Sequence, residues 1–223
     1  MGTRQLKKEI LRLLTNTDFQ ENLATLKNIP ARQAVNPLFS FFYATDPIIK
    51  WHAVTAMGQV VSNLANENME SARVVMRRLV WNLNDESGGI GWGSPEAMGE
   101  IMANHKKLAE EYHRLLVSYI RPDGNFLEHK ELQKGLLWGL ARLAGIRPEL
   151  GKDAGPFLVP YLESADAEHR GLAAMAAGAL KEESARNALE KICLDRSEIC
   201  VYRDRRFERI SVGRIAENAL TRF

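Results

Sequence analysis

The sequence predicts an all-α fold, a right-handed α-α superhelix of about five helical hairpins with a short β-hairpin near the C-terminus. Three observations carry this. Apolar residues recur at helical spacing through almost the whole chain. Helix start signals fall where those stripes begin. A pattern of small residues returns about every 40 residues, the period of a two-helix repeat.

The elements follow in order. Leu6, Ile10, Leu13 and Leu14 form a first i, i+3/i+4 stripe, and Phe19, Leu23 and Leu26 a second. Residues 1–30 are expected to form a divergent capping unit. A helix over 32–43 leads to Asp46-Pro47, an N-cap followed by proline at N1. Val54, Met57, Val61 and Leu64 then mark a longer helix. A helix over 70–83 precedes Ser94-Pro95, which repeats the cap-then-proline signal. After a helix over 106–120, Asn125 and Glu128 have the spacing of a capping-box-like pair. Helices over 156–164 and 182–193 flank Asp166, which caps another amphipathic run. Ile199, Val201, Phe207 and Ile210 surround a charged Arg203–Arg206 turn, which predicts a β-hairpin over 198–210 inserted between the last two helices. There it would cover the end of the apolar core.

The repeat fixes the register. Lys50, Ala53, Ala56, Met57 and Gly58 stand at the same offsets as Arg170, Ala173, Ala176, Ala177 and Gly178. Shorter copies occur at Ala97-Met98-Gly99, Leu137-Trp138-Gly139 and Ala216–Leu220. The anchors at 58, 99, 139, 178 and 221 are 41, 40, 39 and 43 residues apart. Small residues three apart let a neighbouring helix approach closely, as stacked hairpins require.

The run from Asp46 to Gly58, DPIIKWHAVTAMG, resembles the second half of a HEAT repeat, and Asp166 to Gly178 is similar. The resemblance to this armadillo-type family covers about residues 30–221. It implies a single α-solenoid domain over 1–223. Glu131 and Gly91 depart from the pattern, standing where it has a basic residue in two central copies. For function the resemblance implies a scaffold or adaptor that binds a protein partner. The enzymes among HEAT-like proteins, alkylpurine DNA glycosylases and phycobilin lyases, supply the alternative, a glycosylase-like or lyase-like activity. The glycosylases' catalytic motif has no residue-by-residue match here, and no residue set identifies a lyase.

The composition constrains partners. The 223 residues hold 30 Lys plus Arg against 28 Asp plus Glu, a net charge of +2, with 45% apolar residues. That balance disfavours a dedicated nucleic-acid binder and leaves room for a local basic patch. No window approaches the roughly 18 apolar residues of a membrane helix. No secretory h-region follows the basic start, since Lys8, Glu9 and Arg12 interrupt it. A cytoplasmic location is expected, with Cys193 and Cys200 as incidental or core thiols.

Motifs for chemistry are lacking. The five histidines are dispersed, and Glu110 with His113 is one Glu-x-x-His pair where a bundle metal site needs two. No nucleophile elbow appears. The sequence therefore calls for no catalytic residue, no metal and no cofactor. The clearest departure from repeat regularity is the glycine-rich run Asn84–Pro95. Glycines permit close backbone approach, and loops carry binding disproportionately. The expected partner-binding set is Glu86, Gly88, Gly89 and Trp92 of this run, with Glu96 and the inner-helix residues Lys50, Trp51 and Arg170.

Overall fold

The computed structural model describes residues 2–15, 19–84 and 91–223. It falls into two compact units, Met1–Leu108 and Ala109–Phe223. The division lies inside one helix, α7 (Lys106–Ser118).

Unit 1 opens with α1 (Thr3–Thr15) and α2 (Phe19–Leu26), which bury the two predicted apolar stripes. Two polar contacts hold these helices in place. Asn22 Nδ2 donates to Leu13 O at 2.9 Å, and His52 Nδ1 bonds Leu14 O at 2.7 Å while its ring stacks on Phe19, centroids 3.7 Å apart. His52 is thus a buried structural histidine. The outer helices α3 (Ala31–Phe41) and α5 (Met69–Asn84) alternate with the inner helices α4 (Pro47–Glu67) and α6 (Ser94–Asn104). Asp46 caps α4 as expected, accepting from Ile48 N at 2.8 Å with Pro47 at the first position. The small-residue stripe lets α4 and α6 approach closely. A Cβ on Gly58 would come within 2.5 Å of Glu100 Cγ.

Unit 2 contains α8 (Lys130–Ala144), α9 (Pro148–Gly151), a 3-10 turn over Lys152–Leu158, α10 (Val159–Leu162), α11 (Ala167–Leu180) and α12 (Arg186–Ile192). The hairpin β1 (Glu198–Arg203) and β2 (Arg206–Ser211) and the terminal α13 (Val212–Leu220) complete it. The inner helices α8, α11 and α13 stack in series. A Cβ on Gly178 of α11 would stand 2.7 Å from Ala219 Cα of α13.

Two start signals and one helix resolve differently from expectation. Ser94 is the first residue of α6, not its cap; Gly93 holds the cap position. Asn125 and Glu128 do not form a capping box. Leu127 N donates to Tyr119 O at 3.0 Å, which folds this segment into a turn, and α8 starts at Lys130 with His129 as cap. Asn125 Nδ2 instead donates to Ser118 Oγ. The outer helix expected over 156–164 is fragmented, because Pro156 and Pro160 each lack an N–H donor and force a 3-10 segment before the short α10.

The hairpin forms in the predicted place. Arg203 pairs with Arg206 across a two-residue turn in which Asp204 and Arg205 both have positive φ, 51° and 64°, as a type I′ turn requires. Within unit 2 it reaches back to α8 and α11. Trp138 Nε1 of α8 donates to Tyr202 O at 2.8 Å, and Ile199 packs against Gly171 of α11.

Candidate functional site

Lys50 and Trp51 stand just inside α4, placed there by the Asp46-Pro47 start. Lys50 Nζ lies 3.0 Å from Glu96 Oε1 and 5.8 Å from the centroid of Trp51. Glu96 sits in the first turn of α6, and Gly93 sets that turn. Gly93 has φ +74°, and a Cβ there would stand 2.7 Å from Phe42 Cγ, so both conformation and space demand glycine. Trp92 immediately precedes it and is half-buried, as are Lys50 and Trp51.

Glu96 itself is 3% exposed, so its carboxylate does not present itself to solvent. Oε1 holds Lys50, while Oε2 and the neighbouring Ser94 Oγ have no hydrogen-bond partner among the described residues. A buried carboxylate is tolerable here because a cation neutralises it and the positive end of α6 lies beneath it. Its action on any ligand passes through Lys50, which it orients. One turn on, Glu100 is also buried and accepts from Asn104 Nδ2 at 2.9 Å. Sequence reasoning passed over Glu100, although two acids four apart on a helix of small residues were visible.

Arg170 belongs to unit 2 and is committed to internal contacts. Its guanidinium bonds Asp195 Oδ2 through Nη2 at 2.6 Å and Nε at 2.8 Å. Its Nη1 donates to the carbonyls of Ser164 at 2.8 Å and Ala165 at 3.0 Å. Burial pushes the Asp195 carboxyl up, but hydrogen bonds from Ser197 and the Arg170 guanidinium more than reverse this and leave it below the usual carboxylate range. So Lys50, Trp51, Trp92 and Glu96 come together in unit 1, while Arg170 is a rivet of unit 2. Glu86, Gly88 and Gly89 lie outside the described residues.

The base that Glu131 displaces reappears one turn later. Lys134 Nζ lies within 3.2 Å of Glu131, Asp166 and Glu168. Burial alone would lower its pKa; the three carboxylates outweigh that and raise it above the ordinary lysine range. Among the described residues, no group of three or more His, Cys, Asp or Glu is arranged to hold a metal ion, and no helix is long and apolar enough to cross a membrane.

No family model matches the chain. An uncharacterized protein of Archaeoglobus fulgidus is 30% identical over 120 residues, 53% of this chain and 56% of that protein. The chain thus spans little more than half the length of this relative. Among solved structures, a designed armadillo repeat protein in complex with the peptide (KR)4 aligns with a TM-score of 0.55 at 19% identity, covering 96% of this chain and 98% of that one. A crystal structure of computationally designed armadillo repeat proteins for modular peptide recognition aligns at 0.52 and 19%, with the same coverage. An engineered protein aligns at 0.53 and 20%, covering 97% and 95%. At these identities the likeness bears on fold alone. Together with the stacked inner helices, it shows a helical repeat fold of the armadillo/HEAT type.

Proposed function

We propose that the protein is a non-catalytic repeat scaffold that binds a protein partner in unit 1, around Lys50, Trp51 and Trp92. The observation that carries this is the Lys50–Glu96 pair. A buried carboxylate holds a partly exposed ammonium beside Trp51, which fixes a cation at the start of an inner helix. A partner would meet Lys50 and the two indoles, with Glu96 acting from behind. The run containing Glu86, Gly88 and Gly89 adjoins Trp92 in sequence and completes the proposed contact set. The peptide-bound designed armadillo protein supports a peptide-like segment of the partner as the recognised feature. Two free cysteines are in keeping with work in the reducing cytoplasm.

The test is partner capture from extract, followed by affinity measurement with Lys50→Ala and Trp92→Ala variants. Loss of a central aromatic anchor costs about 2 kcal/mol or more, some thirtyfold in affinity. Unchanged affinity for every captured partner in the double variant would remove the assignment.

A further inference from the structure

The charge of unit 1 is segregated by layer. Its helices α1, α3 and α5 carry eight Lys and Arg against Glu9 and Glu70, a net of +6, while the short α2 carries Glu21 alone. Its inner helices α4 and α6 carry Lys50 against Glu67, Glu96 and Glu100, a net of −2. Seven of the eight basic side chains are exposed. Even counting Asp85 and Glu86, which follow α5 in the sequence, the three-helix total is +4. The helices share one surface. Lys7 lies over the Phe41 ring, Arg32 donates to Ser71 Oγ at 2.7 Å, and Arg78 donates to Asn36 Oδ1 at 2.6 Å while stacking on Phe39.

On this surface stands an aromatic that the core does not use. Trp81 is 70% exposed on α5, one turn from Arg77 and Arg78. The α5 stripe through it reads Glu70, Val74, Arg77, Trp81, with Val74 53% exposed. An indole one turn from two guanidinium groups offers a flat stacking face, and Arg77, paired with the exposed Glu70 at 2.7 Å, would exchange that carboxylate for a phosphate. α5 is about 24 Å long, and three adjacent helices span roughly 20 Å, enough to track several phosphates.

We propose that the α1–α3–α5 face of unit 1 binds single-stranded nucleic acid, phosphates on the arginines and a base stacked on Trp81. Charge complementarity calls for a polyanion, and the exposed indole selects one with planar bases over an acidic peptide. An anionic membrane fits less well, since a charged Arg77 separates the exposed Val74 from Trp81 and, among the described residues of α5, no other large apolar side chain is exposed. The near-neutral net charge of the chain averages this face against the acidic inner layer.

The test is fluorescence anisotropy with the full chain and a labelled oligonucleotide of about 12 nucleotides, at ionic strengths from about 20 to 200 mM. With about four phosphates engaged, the tenfold rise in salt is expected to weaken binding several-hundredfold. Trp81→Ala should weaken it roughly 5- to 150-fold and Trp81→Phe much less. Neutralising Arg4 and Lys8 to Gln should lower both affinity and salt slope. No binding at low salt, or binding indifferent to Trp81→Ala, would overturn the proposal. So would equal affinity for duplex, for polyglutamate or for anionic vesicles. Because Lys50 and Trp92 are not on α1, α3 or α5, their variants should leave oligonucleotide binding intact.

Discussion

Lys50 and Arg170 occupy the same register in the repeat, and the fold uses them differently. Lys50 meets a carboxylate on the next inner helix, whereas Arg170 ties together the loops before α11 and after α12 through Asp195, Ser164 and Ala165. The second arrangement has a pH signature. Asp195 titrates below the ordinary carboxylate range when folded, so its stabilising contribution is complete above the unfolded value of about 3.9. It is lost as pH falls through the lower folded value. Thermal melts of Asp195→Asn should therefore lie below the parent at pH 7, and the gap should shrink as pH drops below about 4. A gap of constant size across that range would show that the carboxylate's charge is not what stabilises these loops.

At the scale of elements, what was legible and what was not divide by the range of the interaction. The Asp46 and Asp166 caps, the outer helices over 32–43 and 70–83 and the β-hairpin rest on spacing within a few residues, and each appears where the pattern places it. The fragmentation at Pro156 was readable from the missing donors, but the apolar stripe overrode it. The turn at Asn125 turns on a bond between Leu127 and Tyr119 that competes with a local cap, and the Arg170–Asp195 pair joins residues 25 apart. No local pattern announces either. In the candidate site, Lys50 and Trp51 were legible from register, but the burial of Glu96 depends on close approach of neighbouring helices. The hairpin carries its own prediction. Asp204 and Arg205 both adopt left-handed φ, which glycine and asparagine accept at lower cost. Asp204→Asn with Arg205→Gly should stabilise the protein by about 0.5–1 kcal/mol, read from the urea midpoint. Because Trp138 bonds Tyr202 O, its environment should remain native-like in fluorescence. Destabilisation would mean that the side-chain contacts removed, among them Asp204 with Arg203 at 3.9 Å, outweigh the backbone cost.

Across the whole molecule, bulk charge conceals distribution. Unit 1 has 12 Lys and Arg against 10 Asp and Glu, and unit 2 has 18 against 18. A chain of net +2 with evenly mixed charge should bind a cation exchanger weakly. One whose α1, α3 and α5 helices sum to +6 should bind through that face, since a surface responds to the local field within a Debye length of about 10 Å. Two double variants separate these cases. Arg4→Glu with Lys8→Glu alters the α1 edge of the basic face, and Lys152→Glu with Arg222→Glu alters exposed positions in unit 2. Each changes the net charge by four, from +2 to −2. If net charge governed retention, the two would elute together. With the charge segregated by layer, the first should elute at clearly lower salt than the second, while the second stays close to the parent. Because all four side chains are exposed, unchanged melting temperatures in both variants would confirm that elution reports the field and not the fold.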